Sequence, residues 1–127
     1  MPTIQKTNAG LNLLRDGESG AQSPKVTYFA IGSGNATPAA TDTQLQNETF
    51  RKPITSYTNG SSNGEIIFTG VLANGDAVGA NIEEVGWFGG NASGTRNSGV
   101  LIARGLYAHN PKLSSESITF TLDQTIS

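Results

Sequence analysis

The chain contains no cysteine, a single histidine, a single tryptophan and a single methionine in 127 residues, and only 14% of it is charged. Without cysteine there are no disulfides and no thiolate metal sites, and the redox compartment is left open. There is no basic run and the formal net charge is −2, which argues against a nucleic-acid partner. Nowhere is there an apolar stretch long enough to cross a bilayer, so no membrane partner is expected. Residues 1–14 likewise hold no apolar run of signal-peptide length. The Asn-X-Ser/Thr triplets at Asn35, Asn47, Asn59 and Asn91 therefore read as composition, not as glycosylation sites.

What the chain has in quantity is Gly, Asn, Ser and Thr. That mixture favours short strands and many turns over long helices. The length suits one domain, 1–127, around a single core.

One stretch organises the rest: Ile82-Glu83-Glu84-Val85-Gly86-Trp87-Phe88. With a period of two, Glu83, Val85 and Trp87 share one face, and Ile82, Glu84, Gly86 and Phe88 share the other. Trp87 and Phe88 place a large apolar group on each face, which predicts a central strand covered on both sides. Gly86 predicts a close approach of another backbone or ring. Trp87 needs an acceptor for its indole N–H.

Residues 1–6 read as an extended polar lead and 7–17 as a short helix. In that helix Thr7 or Asn8 is the cap, Leu11 and Leu14 form the apolar pair, and Gly17 takes the left-handed position after the last turn. Residues 18–24 form a polar loop, and 26–31 a β-branched and aromatic strand. Residues 41–51 read as a second short helix, with Thr41 and Gln44 at capping-box spacing and Pro53 as its stop. Further strands are expected over 54–58, 65–72, 100–107 and 117–123. The first two are joined by a hairpin loop at 59–64. The strand at 100–107 runs antiparallel to 82–88, and the last alternates with Ile118, Phe120 and Leu122 inward. Residues 89–99 form a long exposed loop. The expected fold is mainly β: an antiparallel β-sandwich or open barrel with two short helices in the N-terminal half.

Chemistry finds few footholds. Gly32-Ser33-Gly34 follows a strand, but Thr37 and Pro38 break any dinucleotide fingerprint, so a structural turn is the better reading. His109 could join a Ser-His-Asp set with Asp76 or Asp123, but it lies in a surface-turn sequence, and no Ser occupies a nucleophile elbow. Glu83 and Glu84 point to opposite faces of a strand and cannot share a metal or a glycosidic bond. The inward member needs a partner, and Arg104, on the neighbouring strand, is the candidate. Glu84, Arg104, Trp87 and Phe88 are therefore candidate packing residues. Glu48 and Arg51, three apart on the expected second helix, read as a surface ion pair or as assembly contacts. Arg96 is the one charge in the 89–99 loop and is a third candidate contact. No catalytic residue, cofactor or metal site is assigned, and an enzyme is the least favoured class.

Several segments together resemble one family. Thr7-Asn8-Ala9-Gly10-Leu11-Asn12, Tyr28-Phe29-Ala30-Ile31-Gly32-Ser33-Gly34 and Pro38-Ala39-Ala40-Thr41-Asp42-Thr43-Gln44-Leu45-Gln46-Asn47-Glu48 come first. Ile82-Glu83-Glu84-Val85-Gly86-Trp87-Phe88, Leu101-Ile102-Ala103-Arg104 and Ile118-Thr119-Phe120-Thr121-Leu122 follow in order. They are similar to the N-terminal region of phage tail-collar fibre proteins and related small phage structural proteins. The resemblance implies a virion component, made in the bacterial host cytoplasm and attached to another virion protein. It also implies assembly with copies of itself, as a trimer or a five- or sixfold ring. The absence of a shaft before Ser127 favours an adaptor or a short fibre base. A capsid cement or head-fibre protein would share every one of these features. A carbohydrate- or receptor-binding module is the alternative from another class, with Trp87 or Tyr107 stacking on a host surface glycan if exposed. Tyr57, Phe50 and Tyr107 are apolar residues suited to burial between subunits.

Overall fold

The computed structural model describes residues 4–21, 23 and 25–125. Within them the chain runs β1 (Ile4–Lys6), α1 (Asn8–Glu18), β2 (Val26–Gly32), β3 (Glu48–Pro53), β4 (Ser56–Asn59), β5 (Glu65–Leu72), β6 (Ile82–Gly89), β7 (Val100–His109) and β8 (Ile118–Thr125). The eight strands make two antiparallel sheets. One has five strands in the order β1-β7-β6-β2-β3, and the other has three in the order β4-β5-β8. The protein is thus mainly β, with one short helix among the described residues. β6, which carries Trp87, is the middle strand of the larger sheet.

A shared apolar core takes one face from each sheet. Phe29, Ile31, Val85 and Trp87 come from the larger sheet, and Phe68, Leu72, Phe120 and Leu122 from the smaller. Phe29 lies between them, its ring centroid 6.0 Å from that of Trp87 and 6.1 Å from that of Phe120. The alternation along β8 sends Ile118, Phe120 and Leu122 into this core and leaves Thr119, Thr121 and Asp123 in water. The second face of the larger sheet carries a separate cluster of Ala30, Phe88, Leu101 and Leu45. Leu45 belongs to no strand; it comes from segment 33–47, which lies over this face.

The helix starts where its cap predicts. The Thr7 side chain accepts from the Gly10 amide at 3.0 Å, and its hydroxyl donates to the Leu101 carbonyl on β7. Its buried face differs from the expected one: Gly10 and Leu13 are buried, while Leu11 is 52% exposed. The reason is contact distance. A Cβ on Gly10 would lie 2.8 Å from the Ile102 carbonyl oxygen, so the helix meets β7 through its glycine, which turns Leu11 outward. The helix also continues past Gly17 to Glu18. The left-handed residue is Gly20, at φ 79°.

The second helix, expected over 41–51, does not form. Segment 33–47 is irregular, and Glu48–Pro53 is strand β3, paired with β2. Thr, Asp and Asn are poor helix formers, and the amides of Gln46 and Asn47 have found a stronger acceptor elsewhere. Asp42 accepts from the Ala39 amide at 2.9 Å, a local turn in place of a helical cap. The strand expected over 54–58 is Ser56–Asn59. Of the expected extended lead, residues 1–3 lie outside the described residues, as do 22 and 24 of the expected loop.

Candidate functional site

The loop-covered face of the five-stranded sheet gathers five of the seven candidate residues: Glu48, Arg51, Glu84, Phe88 and Arg104. β3 brings two of them through an irregularity. Ile31 pairs with Phe50 and Gly32 with Glu48, so Thr49 is an extra residue, a β-bulge. On a regular strand, residues three apart point to opposite faces. The bulge resets the alternation and places Glu48 on the same face as Arg51. Arg51 Nε then donates to Glu48 Oε2 at 2.6 Å and Nη2 to Oε1 at 2.8 Å, a bidentate pair with side chains only 3% and 1% exposed. The pair expected on a helix surface is therefore a buried one on a strand. The Arg51 guanidinium also lies 4.4 Å from the centroid of the Phe88 ring.

The same pair holds the 89–99 loop. Arg51 Nη1 donates to the carbonyls of Ser93 and Ser98 at 3.0 and 3.1 Å, and Glu48 Oε1 accepts from the Asn97 amide at 3.2 Å. Within the loop, Ser98 Oγ donates to the Thr95 carbonyl at 2.6 Å. Arg96 reaches back over this arrangement, its Nη2 donating to Asn47 Oδ1 at 2.9 Å. An exposed loop of Gly, Asn and Ser is thus pinned at its base by charged groups of the sheet.

Glu84 does the same for segment 33–47. Its Oε1 accepts from the Gln46 amide and from Arg104 Nε, both at 2.9 Å. Its Oε2 accepts from the amides of Gly34 at 2.9 Å and Asn47 at 2.8 Å. Four donors match the roughly four acceptor positions of a carboxylate. The Gly32-Ser33-Gly34 turn does direct an amide at an anion, and the anion is the chain's own. Arg104 continues the network, with Nη1 donating to the Ala36 carbonyl at 3.0 Å and to Asp42 Oδ2 at 3.3 Å. Its Nη2 is buried and has no acceptor among the described residues. Gly86 lets the segment settle: a Cβ there would lie 2.6 Å from Leu45 Cδ2. The close approach expected at Gly86 is therefore made by a side chain and not by a backbone or ring.

Trp87 faces the other way, into the core, and is fully buried. Its indole N–H finds no acceptor among the described residues. Tyr107 packs edge-on against Phe120, with centroids 5.3 Å apart, and stacks with His109. His109 Nε2 lies 2.6 Å from Glu116 Oε1, while Asp76 bonds Lys52 and Asp123 bonds Glu65. The two aspartates considered for a His109 triad are thus engaged elsewhere. The Leu113 amide, followed by His109, holds the Glu116 carboxyl below its ordinary range. No group of three His, Asp or Glu that could hold a metal occurs among the described residues.

Lys112 was not singled out by its sequence context, yet it is 1% exposed. Its ammonium donates to the carbonyls of Ala73, Asn74 and Leu113 at 3.0–3.1 Å, fastening the turn after β5. No sequence signal marks it, because its acceptors are all backbone groups and two of them lie almost forty residues away.

No protein-family model matches the chain, and neither a curated protein nor a solved structure is found to be similar to it.

Proposed function

We propose that this chain is a non-enzymatic structural component of a bacteriophage virion. It is a collar-fibre-like adaptor or short fibre base that assembles with copies of itself on another virion protein. The observation that carries the proposal is the use made of the charged groups on the loop face. Glu48, Arg51, Glu84 and Arg104 bond one another and the backbone of 33–47 and 89–99, and so fix two polar loops without leaving a free acid–base pair. Such a surface is held in place by bonds to its backbone, nearly uncharged and rich in Asn, Ser and Thr. It suits docking against another protein, since preorganised loops bind with less loss of entropy. The resemblance in segments 7–12, 28–34, 38–48, 82–88, 101–104 and 118–122 supplies the virion context. In this reading the two sheets close on their shared core as an antiparallel sandwich, with the loop face outward.

The glycan-binding alternative loses its best aromatic platform, because Trp87 is fully buried. Fluorescence of Trp87 should be blue-shifted and insensitive to added glycans.

A low-resolution map of particles from the producing cell should place the chain on a tail, a collar or a capsid surface. Failure to recover it with intact particles, under conditions that retain their other minor proteins, sinks the proposal. A capsid-surface position would select the cement or head-fibre form of the same reading.

A further inference from the structure

Four strands lie at sheet edges, and three of them carry features that discourage pairing with another chain. β1 is three residues long and β4 is four. β3 has the bulge at Thr49 and ends in Pro53. Short length, bulges, basic side chains and proline are the ordinary means of keeping sheet edges from joining. β8 has none of them. It runs for eight residues, pairs with β5 without a register shift, and contains no Lys, Arg or Pro. On its other side it has no ladder partner among the described residues.

We propose that the free edge of β8 pairs antiparallel with β8 of a second copy, across a twofold axis at Thr121. The faces restrict the register to an axis on a residue and not between two, and Thr121 lies near the middle of the strand. Residues directly opposite in an antiparallel pair share a face, so Thr119, Thr121 and Asp123 must oppose one another, and Ile118, Phe120, Leu122 and Gln124 likewise. Centring on Thr121 sets Phe120 against Leu122, Ile118 against Gln124, and each Asp123 against the hydroxyl of Thr119. Centring on Asp123 would oppose two carboxylates, which disfavours that register. The strand is complementary to itself, so the contact is isologous and a second copy is the occupant that brings the matching alternation. It joins two three-stranded sheets edge to edge, with their apolar faces continuous. A strand pair buries less than the roughly 1,600 Å² of a standard interface, so the dimer depends on concentration. The contact is independent of the virion reading, and it does not by itself build a threefold ring.

The test is light scattering over a dilution series of the full chain and of Thr121→Lys and Thr121→Glu. Thr121 is exposed, and far-UV circular dichroism verifies that both variants keep the fold. The unchanged chain should show a dimer mass at high concentration. Each variant alone should be a monomer, because like charges meet at the axis, and an equimolar mixture should regain the dimer. A second arm uses the absence of cysteine: Thr121→Cys should cross-link on oxidation at concentrations where Thr58→Cys, on β4, does not. A monomer at every concentration, an assembly unchanged by Thr121→Lys, or a mixture that stays monomeric overturns the proposal. Recovery of the chain with particles in any of those cases leaves the virion reading standing.

Discussion

The two sheets finish their outer faces in opposite ways. The five-stranded sheet covers its second face with loops and holds them with buried ions: Glu84 and Arg104 for 33–47, Glu48 and Arg51 for 89–99. The three-stranded sheet leaves its second face to water, where Thr119, Thr121 and Asp123 are exposed on β8. Charge is scarce in this chain, with eight Lys and Arg and ten Asp and Glu, any of which could have served solubility on either face. Instead, four of the ions sit where desolvation makes them costly unless every bond is made. The energetic stakes on the two faces therefore differ by several kcal/mol for substitutions of similar size.

The largest effect should come from Glu84→Ala. It leaves the buried Arg104 with only the longer contact to Asp42, at 3.3 Å, and orphans three backbone amides, a loss of about 3–5 kcal/mol, the range for breaking a buried pair. Thr119→Ala on the wet face should stay within about 0.5 kcal/mol. Urea unfolding of both variants measures the contrast, and equal effects would abolish it. Next comes Gly86→Ala, whose methyl would meet Leu45 Cδ2 at 2.6 Å. Overpacking of this kind costs about 1–3 kcal/mol. Leu45→Ala in the same chain should return part of that loss, and additivity of the two would mean that Leu45 does not rest on the sheet.

Smallest are the effects of pH, and their signs oppose. The hydrogen bond from Lys52, which ties β3 to the turn after β5, holds the Asp76 carboxyl below its ordinary range. Its contribution to stability is complete above the ordinary value of about 3.9 and is lost as pH falls through the lower folded value. The hydrogen bond with Glu65 raises Asp123, so Asp123 keeps the proton that Glu65 gives up more readily. Stability from that proton is present below about 3.9 and is lost as pH rises through the raised folded value. At neutral pH, Asp76→Asn should lower the midpoint of thermal unfolding and Asp123→Asn should raise it slightly. Shifts of the same sign would show that one of the two carboxyls has been assigned the wrong partner.

Much of the strand framework is legible in the chain, because its pattern is local. Alternation marks β8, and two-sided apolar runs mark β5 and β6. The pairing of β6 with β7 brings Glu84 to Arg104 through diagonal positions, with Gly86 opposite Arg104. Segment 41–51 misleads because its capping-box spacing is a local signal, while the acceptor that draws away its amides lies on β6. The bulge at Thr49 hides β3 from a period of two, and it hides the burial of Glu48 and Arg51 with it. Leu11 misleads for a similar reason: a contact at Gly10, not the apolar spacing, decides which way the helix faces.

The carboxylate of Glu84 lies 50 residues from Gly34 and 38 and 37 residues from Gln46 and Asn47. Segment 33–47 consequently has only its internal bonds, such as that of Asp42 with the Ala39 amide, when it is first synthesised. Its bonds to the sheet wait until β6 has been made and β7 has delivered Arg104. Native-state hydrogen exchange should find those three amides opening together, in a single event separate from the fraying of β1.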